Sequence, residues 1–381
     1  MMSKFKHLDL RLVRPAFDSE IIDLIIELDY LRKKKLYGST HPQIFFQLKQ
    51  IFHMLESLGS ARIEGNHTTI ADYVEEMIDK EADKNESMTE IINMENALGF
   101  IDEQDDIRID RIQISDLHRT VVKNLIREGS TTPGDYRRKN VVISGSEFSP
   151  PDYTKVADYM EELIGFINSD TSPKYDLIKT AIAHHRFTWI HPFDNGNGRT
   201  VRLFTYAMLV KFGFNVKEGR LLNPTAVFCS DRNKYYQYLT MADSGTNDGM
   251  LAWCNYVLAG LKSEIEKIDN LLDYKFTEKL ILIPAIRFSQ QRELITDTER
   301  KILEVGIKKQ DFQNSDIQDV IEYPTSRKIS REIAKLREKG FIQTERNSQR
   351  KYVVNFSQNC LLRGVIDSLR KNGFIPASLD E

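Results

Sequence analysis

Apolar residues recur at helical spacing along most of the chain. The segment DSEIIDLIIELDYLRKKKL (18–36) repeats them every three or four positions and predicts a helix. HPQIFFQLKQIFHMLESLGSARIEGN (41–66) does the same and stops at Gly65-Asn66, a common helix end. TTIADYVEEMID (68–79) opens on a threonine cap, and KEADKNESM (80–88) reads as a charged loop. Further helices are predicted over 89–102, 116–126, 156–169, 176–190, 199–214, 232–242 and 250–274. Between them, TTPGDYRRKNVVISGSEFSPPDY (131–153) has Pro-Gly, a short β-branched run and a double proline, the pattern of a turn with a short hairpin.

The texture changes after residue 274. TDTERKILEVGIKK, NSDIQDVIEY and PTSRKISREIAKLREKGFI read as three helices, the last ending at Gly340. QTERNSQRKYVVNF reads as a hairpin bent by polar residues. This is the element order of a winged helix-turn-helix module. The expected fold class is mainly α, a helical bundle with a β-hairpin flap, followed by that C-terminal module. Three regions are expected: an N-terminal helical region (1–110), a core (111–265) and the winged-helix domain (275–381).

At 381 residues the chain is long enough for several domains and a sizeable core. A net charge of −3 gives no general attraction to nucleic acid or membrane. The charge is uneven, however. Residues 275–381 carry 20 Lys and Arg against 15 Asp and Glu, so the basic excess lies at the C-terminal end. Cys229, Cys254 and Cys360 are far apart, with neither a disulfide framework nor zinc spacing. No apolar run long enough for a signal or membrane span occurs, and the expectation is a cytoplasmic protein without a membrane partner.

The stretch IHPFDNGNGRTVR (190–202) falls between two predicted helices. Glycine there costs backbone entropy, so something should require it. N–H groups at a helix start lack intrahelical partners and carry partial positive charge, which makes Gly196-Asn197-Gly198 a candidate anion cradle. Arg199 and Arg202, three residues apart, project on one side of the first turn and suit a polyphosphate. His191, just before the cradle, could accept a proton from an attacking group. Together these residues describe phosphoryl or nucleotidyl transfer. Singly, each has a plainer reading: a common turn, two solvated arginines, a core histidine beside Trp189 and Phe193. Their joint spacing favours the chemistry.

The spacing HPF-x-x-GNGR-x-x-R strongly resembles the signature of the Fic family, HPFx(D/E)GN(G/K)RxxR. The resemblance implies a mostly helical core, ATP as co-substrate with Mg²⁺ or Mn²⁺, and transfer of AMP to a hydroxyl side chain of a target protein. It implies His191 as the general base. Gly196, Asn197 and Gly198 would hold the α- and β-phosphates, with Arg199 beside the β-phosphate and Arg202 reaching the γ-phosphate. Phe193 would anchor the loop in the core. One position departs: where the family has an acidic metal ligand, this chain has Asn195, with Asp194 one place earlier. An amide oxygen can ligate Mg²⁺ but brings no charge.

SARIEG (Ser60 to Gly65) resembles the family's inhibitory motif, (S/T)xxxE(G/N). The resemblance implies that Glu64 pairs with Arg202 in place of a γ-phosphate edge, so the expected activity is that of an autoinhibited protein adenylyltransferase. LHRTVVKNL (117–125) resembles the segment before the family's core, and PGDYRRKNVVISG (133–145) resembles its target-binding flap, which makes Val141, Val142 and Ile143 candidate flap residues that pair with an extended target segment. RNKYYQYL (232–239) resembles the helix near the adenine pocket, with Asn233 and Tyr236 as candidate contacts. The likeness runs from about Ser57 to Tyr256, and homodimerisation is one release route that it suggests.

Other readings stay open. De-AMPylation or transfer of another phosphate-containing group would fit the same fold. An ATP-sensing, DNA-binding regulator would use Arg327, Lys328, Arg331, Lys335 and Arg337 of the segment 325–340. A metal hydrolase built on His184, His185 and His191 is disfavoured, because adjacent histidines point apart and no His-Asp pair follows.

Overall fold

A computed structural model of the chain describes residues 5–33, 39–78, 85–143, 148–214, 224–346, 348 and 350–375. Its helices are α1 (Glu20–Lys33), α2 (Pro42–Ile63), α3 (Ile70–Ile78), α4 (Glu86–Glu103), α5 (Arg111–Val121), α6 (Val156–Asn168), α7 (Asp176–Ile190), α8 (Asn197–Lys211), α9 (Pro224–Cys229), α10 (Arg232–Asp243) and α11 (Asn247–Asp269). A single turn, α12 (Tyr274–Phe276), leads through a π-helix (Thr277–Leu282) into α13 (Ile283–Gln291). Then come α14 (Asp297–Lys309), a 3₁₀ segment (Asn314–Val320), α15 (Ser326–Glu338), strands β1 (Ile342–Thr344) and β2 (Tyr352–Val354), and α16 (Leu361–Lys371).

The chain divides into two compact units, and neither is continuous in sequence. The first comprises residues 1–35, 56–68 and 84–265, the second 36–55, 69–83 and 266–381. This differs from the three consecutive regions expected from the sequence. The reason is packing: α4 lies against α5 and α8 in the first unit, and α3 lies against α16 in the second.

In the first unit, α7 and α8 form the centre. All but two residues of α7 are buried, and so is most of α8. Such near-complete burial explains why these two helices read as apolar on several faces rather than as one stripe. Trp189, Phe187, Phe193 and Phe204 are each at most 1% exposed, and the rings of Phe187 and Phe204 stand 5.4 Å apart. Asp110 caps α5 through the Gln113 N–H and Asn85 caps α4 through the Met88 N–H.

In the second unit, α14 opens on a capping box in which Thr296 and Glu299 satisfy each other's backbone. Strands β1 and β2 pair antiparallel, Ile342 opposite Val354 and Thr344 opposite Tyr352. Phe312 adds a bridge to Tyr352. The segment expected as the middle helix is the 3₁₀ turn Asn314–Val320. Thr69 caps α3 as the sequence suggested, accepting from the Asp72 N–H. The expected loop 80–88 lies partly outside the described residues, and its end belongs to α4. Helices α13 and α16 were not expected. Both carry an apolar face, Ile283, Ala285 and Ile286 in one and Leu362, Val365, Ile366 and Leu369 in the other.

The hairpin expected within 131–153 is only partly described. Residues 144–147 lie outside the described residues, and the described ones on either side form no strand. The hydrogen bonds of this excursion run elsewhere. The Arg137 N–H donates to the Pro192 carbonyl, and its guanidinium donates to carbonyls of His191, Lys139 and Pro151. Asn140 closes the base by donating to Asp152 and accepting from the Tyr153 N–H. Pro150 and Pro151 have no N–H to give a ladder.

Candidate functional site

Helix α7 ends on His191, whose backbone is left-handed at φ 51°. A non-glycine residue there is strained, and the strain is held by Arg137, which grips the His191 carbonyl at 2.9 Å. The chain then turns through Pro192 to Gly196 and starts α8 at Asn197. Gly196 takes φ 71°, and an added Cβ would meet Val122 at 2.8 Å. A side chain at 196 is therefore excluded twice, by conformation and by contact. The N–H groups of the first turn of α8 have no helical partner, which leaves an anion-seeking surface next to His191.

The loop is shaped from within and from below. Asn197 spans it: its Oδ1 accepts from the Phe193 N–H and its Nδ2 donates to the Phe193 carbonyl, both at 2.9 Å. Phe193 is fully buried and stacks on His118, ring centroids 3.7 Å apart and planes 4° from parallel. His118 Nδ1 accepts from the Gly134 N–H at 2.8 Å, so the proton sits on Nε2, which donates to the Asn195 carbonyl at 3.1 Å. Burial lowers the His118 pKa to about 4, so this residue is a neutral strut. His118 and Arg137 are two site residues that sequence reasoning missed. Their only signal was lying inside the 117–125 and 133–145 segments already noticed.

His191 itself is half-buried. Desolvation, with the Arg137 charge next, pushes its pKa down to about 4, although Glu64 works the other way. At neutral pH it is an unprotonated imidazole able to accept a proton.

Both signature arginines are 1% exposed. Arg202 donates to Ser60 Oγ at 2.7 Å, to the Ser60 carbonyl at 2.9 Å and to Glu64 Oε1 at 2.8 Å. Burial alone would raise the Glu64 carboxyl, but the charge and hydrogen bond of Arg202 outweigh it and hold it below the usual range. A Cβ on Gly198 would lie 2.0 Å from Glu64 Oε1, so the carboxylate rests directly on the start of α8. Gly65 ends the preceding helix at φ 99°, with the Asn66 N–H reaching back to the Ala61 carbonyl and the Gly65 N–H to Arg62, a Schellman closure that sets Glu64 at the helix end. Arg199 Nη1 lies 2.8 Å from Glu90 Oε1, and its Nη2 donates to the Glu128 carbonyl at 2.8 Å. Glu90 was not anticipated from the sequence.

Ser60, Glu64, His191, Gly196, Asn197, Gly198, Arg199 and Arg202 are thus brought together. Asn233 and Tyr236 are not among them. They line a separate cavity of about 410 Å³ with Ile143, Trp189, Thr188 and Asp243. Thr188 lies one helical turn before His191 on α7, so the cavity borders the same helix end. Tyr236 is exposed, with the Arg232 guanidinium 5.5 Å from its ring, while Tyr235 is the core residue of the pair. Ile143 faces the cavity, and Val142 is 82% exposed.

The donor set does not make a protein-held metal site. Asn195 Oδ1 accepts from the Gly196 N–H at 2.7 Å. Both oxygens of Asp194 are occupied by Ser130 and Thr131, so it cannot stand in for the missing acid. Among the described residues, no cluster of three or more His, Cys, Asp or Glu could hold a metal. His184 is a core residue. Thr205 gives its proton to Val201, so His184 Nδ1 donates to Thr205 and Nε2 accepts from Tyr235. His185 pairs with Asp243 at 2.8 Å. No helix among the described residues is long and apolar enough to cross a membrane.

The sequence model of the Fic/DOC family matches residues 108–209, which form a Fic domain. Proteins named protein adenylyltransferase Fic are similar over half of the chain. The one from Drosophila yakuba is 31% identical over 203 residues, 51% of this chain and 37% of that protein. The one from Drosophila melanogaster is 30% identical over 203 residues with the same coverage. The match thus spans under two-fifths of those relatives. Among solved structures, a Fic family protein from Desulfovibrio desulfuricans G20 aligns with a TM-score of 0.57 at 18% identity, covering 92% of this chain and 98% of that one. Fic-1 from C. elegans aligns with a TM-score of 0.51 at 21% identity, over 65% and 71%. These structural likenesses speak to the fold.

Proposed function

We propose that the chain is an autoinhibited protein adenylyltransferase that moves AMP from ATP to a hydroxyl of a target protein. The observation that carries this reading is the meeting of three things at one helix start. A neutral His191 precedes a glycine cradle, two buried arginines follow it, and Glu64 sits on the second arginine at 2.8 Å. The likeness to the named adenylyltransferases supports it over the Fic domain.

In the proposed reaction the target hydroxyl oxygen attacks the α-phosphorus. His191 takes the hydroxyl proton as the new P–O bond forms. The bond from the α-phosphorus to the bridging oxygen breaks, and pyrophosphate leaves, its charge met by Arg199 and the α8 N–H groups. Glu64 blocks this by holding Arg202 Nη2 through one carboxylate oxygen, with Ser60 on Nε, where a γ-phosphate would bind. The cavity with Asn233 and Tyr236 would accept the base. No step is routed through a metal, since the protein supplies only the Asn195 amide beside the cradle.

The test is incubation with α-phosphate-labelled ATP and Mg²⁺ or Mn²⁺, followed by denaturation and detection of protein-bound label. Label should rise in Glu64→Gly and vanish in Glu64→Gly/His191→Ala. Label that persists without His191 would remove the proposed base.

A second proposal concerns residues 275–381, read as a winged helix-turn-helix that touches duplex DNA. On α15, Ile329, Ile333 and Leu336 are buried while Arg327, Lys328, Arg331 and Arg337 face solvent. That is the disposition of a helix docked by its apolar side with a basic side free for phosphates. A salt-dependent mobility shift of duplex DNA is the expected result, and no shift at low salt would sink it.

A further inference from the structure

We propose that Glu90 is a second carboxylate lock on this site, holding Arg199 away from the β-phosphate of an incoming nucleotide and tied to the inhibitory segment through Asn66. The inference rests on the nucleotide-transfer reading and extends it to an arginine that the SARIEG motif does not reach.

The contacts form a chain. Glu90 lies on α4 and is 3% exposed. Its Oε1 is 2.8 Å from Arg199 Nη1, and its Oε2 accepts from Asn66 Nδ2 at 2.7 Å. Asn66 follows Gly65 directly. It is fixed by donating to the Ser87 carbonyl and by accepting from the Thr68 N–H. The other end of the Arg199 fork donates to the Glu128 carbonyl, with the Glu128 carboxylate 3.6 Å away. Nη2 of Arg199 is therefore committed to Glu128, while Nη1 is covered by the Glu90 carboxylate as an ion pair without hydrogen-bond geometry. A guanidinium grips a phosphate with two parallel N–H donors, so Arg199 must leave Glu90 or Glu128 before it can do so.

The two acids are not equivalent. Glu128 is 40% exposed and can turn into water. Glu90 is buried, and a buried carboxylate finds no water to replace its partner. Three carboxylates, Glu64, Glu90 and Glu128, thus face two guanidiniums. In this arrangement both guanidiniums already face carboxylates, which weakens their pull on a polyphosphate. The stretch from Ser60 to Asn66 holds both arginines: Arg202 directly through Ser60 and Glu64, Arg199 at one remove through Asn66 and Glu90. Displacing Glu64 alone frees one arginine.

The opposite role would be a counterion that aims Arg199 at the phosphate. The two roles predict opposite signs for an isosteric amide. Titration calorimetry with AMP, ADP and ATP on wild type, Glu90→Gln and Asn66→Ala reads the sign. Glu90→Gln should bind ADP about tenfold more tightly and AMP unchanged, because the gain is a contact to the β-phosphate alone. Asn66→Ala should shift ADP the same way by a smaller factor. In the labelling assay, Glu64→Gly/Glu90→Gln should exceed Glu64→Gly by about the same tenfold.

Equal or weaker ADP binding by a folded Glu90→Gln overturns the lock and makes Glu90 an orienting counterion. If thermal melting shows that Glu90→Gln does not fold, Asn66→Ala decides, and unchanged ADP affinity there overturns the lock. An ADP-selective gain with no label in any variant supports the lock while counting against AMP transfer, so the two readings fail separately.

Discussion

Arg199 and Arg202 in the first unit are 1% exposed and each has a carboxylate oxygen 2.8 Å away. Arg327, Arg331 and Arg337 of α15 in the second unit lie on its solvent side, over a buried row of Ile329, Ile333 and Leu336. Both regions are rich in arginine at helical spacing, yet the physics differs. Burying a charge costs several kcal/mol unless it is paired and hydrogen-bonded, whereas a solvated arginine costs almost nothing. The first unit retains its buried cations with Glu64, Glu90 and Ser60 as partners, and further polar groups such as His118 and Asn197 brace the loop. Such a network is expected where a ligand must later replace some of the partners. The second unit keeps its charges in water, where they are free for a surface contact and contribute little to folding.

The largest expected effect separates chemistry from folding. In a Glu64→Gly background, His191→Ala should lower protein labelling by about a thousandfold with little change in melting temperature. A fall of only a few-fold would assign the proton to another group.

Next in size is the arginine contrast itself. Arg199→Leu leaves Glu90 buried without its counterion and should cost about 3–5 kcal/mol in urea unfolding. Arg331→Leu should stay within about 0.5 kcal/mol. Similar costs for the two would break the comparison.

A smaller loss, about 1–3 kcal/mol, is expected for Gly196→Ala, where a left-handed backbone meets Val122 at 2.8 Å. Retained stability and retained nucleotide binding in that variant would show that the loop has another conformation open to it.

A further effect is on pH. His118 and His191 have pKa values near 4 against an ordinary 6.5, both lowered chiefly by burial. Between those values the unfolded chain binds protons that the folded one does not, so stability is full above pH 6.5 and falls as pH drops through 4. Hydrogen exchange at pH 5 should therefore show protection lost around α5 and α7 before α14 and α15. Equal loss in both units would mean that other groups set the acid response.

The sequence was legible wherever structure is local. Helix α7 spans 176–190 as its apolar repeat predicts, and α8 begins two residues earlier than expected because Asn197 already belongs to its first turn. Helix α16 was missed although LLRGVIDSLRK carries a clear apolar face, and α13 was obscured by the π-helical run before it. The expected hairpin lies partly outside the described residues, and on its described part Arg137 and Asn140 bond to distant carbonyls and side chains.

What the sequence determined by itself was the set of groups around one helix start: a histidine and glycines in the loop before it, and two arginines whose spacing makes them neighbours in any α-helix. What only the tertiary structure decided was what each group faces. Ser60 and Glu64 meet Arg202 from 142 and 138 positions away, Glu90 meets Arg199, and Ser130 and Thr131 take up Asp194. The reason is physical. Helical spacing follows from backbone geometry and is written in adjacent residues, whereas the partner of a buried charge depends on which helices pack together, and that is settled by the whole core at once.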